Sequence, residues 1–145
     1  MTSSQCSVAG AIQNGIPHNK IRNVYGIAKA YDTYVGSKKF EKDDPIFDKI
    51  REAGMEFGTT TARPRQVGFL DLDLLLRSAR LNAVTDVIVN KVDILEQVGV
   101  WKVVKEGKTI DLKDKTEFTR FLTNLIIKEV DTVKRVVLSE SPKEI

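Results

Sequence analysis

Apolar positions along this chain recur at two spacings, every second residue or every third and fourth, and these spacings predict its elements. Ser7 to Gly15 is small and weakly apolar and ends in Asn14-Gly15, which suits a short helix closed by glycine. Residues 23–35 carry Val24, Tyr25, Ile27, Tyr31, Tyr34 and Val35 in rough alternation and read as one strand. Ser37 to Lys42 is a polar loop. Asp44 then offers an N-cap and Pro45 a first helical position. Ile46, Phe47 and Ile50 fall on one face of that short helix, and Gly54 ends it. Leu72, Leu75, Leu76, Ala79 and Ala83 keep helical spacing, while Asp73, Arg77 and Arg80 face elsewhere. Val84 to Val89 is an apolar run of strand length, and Val100 to Val104 is another strand. Glu106-Gly107-Lys108 makes a turn before Thr109-Ile110. Asp114 and Glu117 form a capping box for a helix striped by Phe118, Phe121, Leu122, Leu125 and Ile126. Val133 to Leu138 is a last apolar strand. Helices alternating with buried strands predict an α/β fold with a mainly parallel sheet and flanking helices.

Composition narrows the classes. The 145 residues are 41% hydrophobic and 30% charged, enough for a folded core. With 23 basic and 20 acidic side chains the net charge is only +3, and no basic stripe with interleaved aromatics occurs. A nucleic-acid partner is therefore not expected. Nor is a membrane partner, because no stretch approaches the roughly 18 apolar residues of a span. Met1 to Cys6 has neither a basic nor an apolar leader region, which points to a cytoplasmic address. Cys6 is the single cysteine and His18 the single histidine, so neither an internal disulfide nor a Cys/His zinc site can be assembled. His18 sits in the turn-like Pro17-His18-Asn19 and reads as a solvated loop histidine, not the base of a triad.

In parallel sheets ligands gather at the carboxyl ends of strands, and two polar clusters stand there. Asn90-Lys91-Val92-Asp93 follows the strand ending at Val89. One carboxylate can accept both the N1–H and the exocyclic amine of guanine, a bidentate match that adenine cannot offer. The Lys91 stem can lie over a purine while its ammonium stays in water. The cluster thus reads either as a guanine reader or as a polar exit from a strand. Ser139-Glu140-Ser141-Pro142 follows the strand ending at Leu138 and could serve the same base if the two strands are neighbours. A third segment, Gly58-Thr59-Thr60-Thr61-Ala62-Arg63-Pro64-Arg65, gathers three hydroxyls and two arginines in a loop bounded by Gly58 and Gly68. It suits a carboxylate or phosphate, or is a solvated basic turn. No G-x-x-x-x-G-K-[ST] occurs in these residues.

Gly58-Thr-Thr-Thr-Ala-Arg-Pro-Arg-Gln-Val-Gly68-Phe-Leu-Asp71 closely resembles the G-T-T-T-G-R-P-R-R-x-G-W-L-D signature of adenylosuccinate synthetases. Thr2-Ser3-Ser4 with Ala9-Gly10, Val24 to Tyr31 with Val35-Gly36, Leu81-Asn82, and Asn90 to Leu95 resemble further motifs of that family, in the same order. The resemblance implies the C-terminal portion of a P-loop-NTPase-like α/β enzyme. Residues 1–57 would form an IMP-side segment, 58–68 an aspartate and anion loop, and 69–145 a guanine-recognition segment. The implied reaction is GTP-dependent ligation of IMP with L-aspartate, with Mg2+, in AMP biosynthesis. The inosine oxygen is phosphorylated and then displaced by the aspartate amine.

By the same resemblance Thr2 would touch the IMP phosphate, and Val35 and Gly36 would lie by its ribose. Thr59 to Arg65 (Thr59, Thr60, Thr61, Ala62, Arg63, Pro64, Arg65) would form the aspartate loop, with Thr60, Thr61 and Arg63 on the carboxylates. Arg63 would also approach the IMP ribose, and Arg65 would reach the GTP phosphates. Lys91, Val92 and Asp93 would read guanine, completed by Ser139, Glu140 and Ser141. Ala62 and Ser141 stand where the family has glycine, Gln66 and Tyr34 where it has arginine, and Phe69 where it has tryptophan. The family's phosphate loop, catalytic aspartate and histidine and metal ligands are expected outside this chain, which alone should not turn over. A separately supplied N-terminal half or a second copy would then be its partner. A non-catalytic, regulatory guanine-nucleotide or IMP-binding remnant is the alternative.

Overall fold

In the computed structural model, which describes residues 7–140, the alternation resolves into two small sheets. Helix α1 (Val8–Gln13) and a 3-10 turn (His18–Lys20) lead into β1 (Tyr25–Lys29) and β2 (Tyr31–Tyr34). Then come α2 (Ile46–Ala53), β3 (Gln66–Asp71), α3 (Leu72–Leu81), β4 (Asp86–Asn90) and α4 (Val92–Val98). The β5–β6 hairpin (Lys102–Lys105, Lys108–Asp111), α5 (Lys115–Glu129) and β7 (Arg135–Leu138) complete the order.

The first sheet is wholly parallel in the order β1-β4-β7, as an α/β chain requires. The second runs β2-β3-β5-β6; only its β3–β5 pair is parallel, and two antiparallel pairs flank it. The 23–35 stretch is therefore two strands, not one. At Ala30 the chain leaves the first sheet for the second: the Ala30 N–H donates to the Asn90 carbonyl at 2.8 Å, and Tyr31 then pairs with Phe69.

The core lies between the sheets and the helices. Leu72, Leu76 and Ala79 of α3, Phe118, Leu122 and Ile126 of α5, and Val87 and Val89 of β4 are buried together. Phe47 of α2 stacks on Phe69 at 4.8 Å, joining that helix to β3. The expected capping box forms at α5, whereas the N-cap position of α2 is Pro45 rather than Asp44, which still accepts from Ile46 N–H at 2.9 Å. Asp114 accepts from Glu117 N–H at 2.8 Å, and Glu117 answers by accepting from Lys113 N–H at 2.6 Å. Asp71 caps α3 by accepting from Asp73 and Leu74 N–H. No helix among the described residues is long and apolar enough to cross a membrane.

The register sets the carboxyl ends of the parallel strands level. Lys29 is opposite Asn90, and Val89 is opposite Leu138. Ser139 N–H then donates to the Val89 carbonyl at 2.8 Å. The strands ending in the two polar clusters are thus direct neighbours.

Candidate functional site

The Thr/Arg loop is a closed turn between α2 and β3. Phe57 and Pro64 form an isolated antiparallel bridge, and Gly58 N–H donates to the Arg63 carbonyl at 2.9 Å. Ala62 N–H donates back to the Gly58 carbonyl at 2.8 Å. Ala62 sits at φ 51°, so the left-handed conformation that glycine favours is kept here by a residue with a Cβ. Thr59, Thr60, Thr61, Ala62, Arg63 and Pro64 are exposed, and Arg65 is half-buried. The strand β3 begins at Gln66, inside the stretch read as loop.

This turn faces the end of β2. Thr61, Arg63 and Arg65 share a cavity of about 80 Å3 with Tyr34, Val35 and Gly36. The two segments, well separated in sequence, thereby form one site. A Cβ at Gly36 would stand 2.3 Å from the Tyr34 hydroxyl oxygen, so any larger residue there would have to displace the end of the Tyr34 side chain. Gln66 fixes the same wall. Its Oε1 accepts from Phe40 N–H at 2.6 Å and Glu41 N–H at 3.0 Å, while Nε2 donates to the Lys38 carbonyl at 2.8 Å.

Beneath the loop lies Glu56, which sequence reading missed because no motif marks it. It is 2% exposed. Oε1 accepts from Lys29 Nζ at 2.7 Å and from the Tyr31 hydroxyl at 2.9 Å. Oε2 accepts from Arg65 Nη1 at 2.9 Å. Burial acts to raise the Glu56 carboxyl, but the hydrogen bonds from Lys29, Tyr31 and Arg65 and the Lys29 charge outweigh it and hold it below the ordinary glutamate range. Burial first, and then its bond to Glu56, push the Tyr31 phenol far upward. Two cations against one carboxylate leave the cluster positive. Arg63 makes no ion pair among the described residues. The charge of this corner is suited to an anion.

The other cluster adjoins it. Asn90 ends β4, Lys91 is the N-cap in the left-handed conformation at φ 64°, and Val92 and Asp93 open α4 with no loop between. Val92 is buried and Lys91 and Asp93 are half-buried. The Lys91 ammonium is not simply solvated; it donates to the Gly54 carbonyl at 3.1 Å. Asp93 forms no hydrogen bond or ion pair among the described residues, so its oxygens are available to a ligand. Asn90 Oδ1 is a buried acceptor without a partner among them, a group that costs free energy until it is hydrogen-bonded. Ser139 is buried beside this corner, while the Glu140 side chain pairs with Lys115 of α5. Thr2 and Ser141 lie outside the described residues. Among the described residues no group of three or more His, Cys, Asp or Glu could hold a metal ion.

Residues 1–137 match the family model described as adenylosuccinate synthetase. Similar proteins include the adenylosuccinate synthetase of Geobacillus sp. (strain WCH70), 42% identical over 118 residues, which are 77% of this chain and 28% of that one. The synthetase of Meyerozyma guilliermondii is 37% identical over 138 residues, 92% of this chain and 32% of that one. The chain thus spans less than a third of either relative's length. Among solved structures, fully ligated adenylosuccinate synthetase from Plasmodium falciparum matches with a TM-score of 0.75 at 25% identity, covering 98% of this chain and 43% of that chain.

Proposed function

Because the chain belongs to the adenylosuccinate synthetase family, we propose that it supplies the aspartate-, IMP- and guanine-facing part of a GTP-dependent IMP–aspartate ligase. The observation that carries this reading is the shared cavity of Val35-Gly36 with Thr61, Arg63 and Arg65. The IMP-side strand end and the anion loop need to meet for aspartate to reach the purine.

Thr60, Thr61 and Arg63 hold the aspartate carboxylates and orient the amine toward the inosine carbon. Arg63 also approaches the IMP ribose, beside Val35 and Gly36, and Thr2 contacts the IMP phosphate. Arg65 neutralises phosphate oxygens of GTP. Asp93 accepts both donors of the guanine edge while the Lys91 stem, anchored through its ammonium at Gly54, covers the ring. Val92 and the Ser139 to Ser141 segment complete that pocket. In the overall reaction the inosine oxygen leaves as phosphate, the aspartate amine takes its place, and GTP becomes GDP. The phosphoryl-transfer groups and the magnesium ligands would be supplied by the rest of the ligase.

The test is the base edge. Asp93→Asn replaces an acceptor by a donor where guanine offers only donors. GTP affinity should fall about 10- to 100-fold, the scale of a lost charged hydrogen bond. Xanthosine triphosphate, which presents an acceptor there, should bind relatively better. Equilibrium dialysis of both nucleotides against the chain and its variant reads the switch. Equal GTP affinity in the two proteins removes Asp93 from the site. Binding of GTP and IMP with no turnover when the rest of a relative's ligase is supplied would favour the regulatory binding module instead.

A further inference from the structure

Arg65 is held at three points. Its N–H donates to the Glu56 carbonyl at 3.0 Å, its carbonyl accepts from Arg51 Nε at 2.8 Å, and its Nη1 donates to Glu56 Oε2. Two of the three holds come from Glu56. That residue neither lines the small cavity nor belongs to any motif, yet it is the buried charged side chain of the described residues. A carboxylate is the group this place requires. One oxygen takes Lys29 and Tyr31, the other takes Arg65, and all three partners are donors. A glutamine has one acceptor oxygen, and its NH2 would face a donor wherever it turned.

We propose that Glu56 is the positioning residue for Arg65: it binds one edge of the guanidinium and thereby fixes the rest toward the cavity for an anionic group of the substrate. The guanidinium fork is rigid, so anchoring Nη1 sets the direction of the remaining donors. An unanchored arginine would have to order its side chain on each binding event, which weakens affinity without removing any contact to the ligand. The inference rests on the reading of Arg65 as a phosphate-binding group, and its test separates the two.

The full 145-residue chain is labelled at arginine side-chain nitrogens, and the Arg65 guanidinium N–H signal, Nη–H together with Nε–H, is followed without ligand and during titration with inorganic tripolyphosphate. In wild type the signal should be sharp and protected from exchange. In Glu56→Gln, with the backbone spectrum outside the Lys29, Tyr31 and Arg65 segments unchanged, the signal should broaden into solvent exchange. Tripolyphosphate affinity should fall about tenfold, the scale of a charged hydrogen bond. The double variant with Arg65→Ala should bind no more weakly than Arg65→Ala alone. If Glu56→Gln does not fold, Glu56→Asp keeps the charge but shortens the reach to Nη1, and the same loss of the Arg65 signal is expected. An Arg65 signal that stays protected in the variant, or additive losses in the double variant, overturns the proposal. If Arg65→Ala leaves tripolyphosphate affinity unchanged, the phosphate reading of Arg65 fails, and the ligand-free guanidinium N–H signal still decides what Glu56 does.

Discussion

Glu56 and Asp32 are both sheltered carboxyls, and they respond to pH in opposite directions. Glu56 titrates below the ordinary glutamate value because its partners outweigh burial. Its stabilising contribution is complete above that ordinary value and is lost as pH falls through the lowered one. Asp32 is raised, first by burial, then by the nearby Asp71 charge, against the Asp71 N–H that donates to it at 2.9 Å. It takes up a proton more readily folded than unfolded, so its contribution is complete in acid and lost as pH rises through the raised value. Glu56→Gln should therefore cost about 2–4 kcal/mol at neutral pH, and that deficit should shrink toward acid. Asp32→Asn should stabilise the chain above the raised value and not below it. Urea unfolding midpoints across an acid-to-neutral series check both signs, and a Glu56→Gln deficit that is constant with pH would contradict the first. Neither role was legible beforehand. Glu56 lies one turn outside the signature, and its importance comes from Lys29 and Tyr31, which are distant in sequence. The place of Asp93, just after a buried strand, was legible, and its proposed role is what Asp93→Asn tests.

At the scale of elements, the long helices and the capping box of α5 were readable, and the switches between sheets were not. Alternation over 23–35 is the same whether the chain makes one strand or two, since Ala30 carries no signal that it changes sheets. Gly68 suggested the far end of a loop, yet it lies inside β3, where a Cβ would come within 3.0 Å of the Phe40 ring. The helix α4 was hidden because the turn into it is made by Lys91 in a left-handed conformation rather than by glycine. Asp71, legible only as the end of the signature, is the N-cap of α3. Its Oδ1 accepts from Asp73 N–H at 3.0 Å and Leu74 N–H at 3.1 Å. Asp71→Ala leaves both donors unpaired at the start of α3 and should cost about 1 kcal/mol. The loss should appear as a lower denaturant midpoint with an unchanged slope. A midpoint equal to wild type would mean that water replaces the cap without penalty.

For the whole molecule, the all-parallel order β1-β4-β7 sets a physical demand that the described residues do not meet. Parallel sheets are normally covered on both faces and flanked at their edges. Among the described residues no strand pairs with the outer edge of β1, and Tyr25 and Ile27 on that strand are 53% and 65% exposed. Gly26 and Ala28, which alternate with them along β1, are half-buried, so Tyr25 and Ile27 define the exposed face. Among the described residues this edge presents N–H and C=O groups with no strand partner beside apolar side chains, the combination that recruits another strand. The chain should therefore self-associate with rising concentration. Ile27→Lys places a charge on the edge without touching the anion loop or the Lys91–Asp93 corner. It should shift sedimentation toward the monomer at high micromolar concentration while leaving nucleotide binding as in wild type. If the variant associates as strongly as wild type, the β1 edge is not the surface responsible. If it loses nucleotide binding as well, the edge and the site are one cooperative unit rather than two separable regions of the sheet.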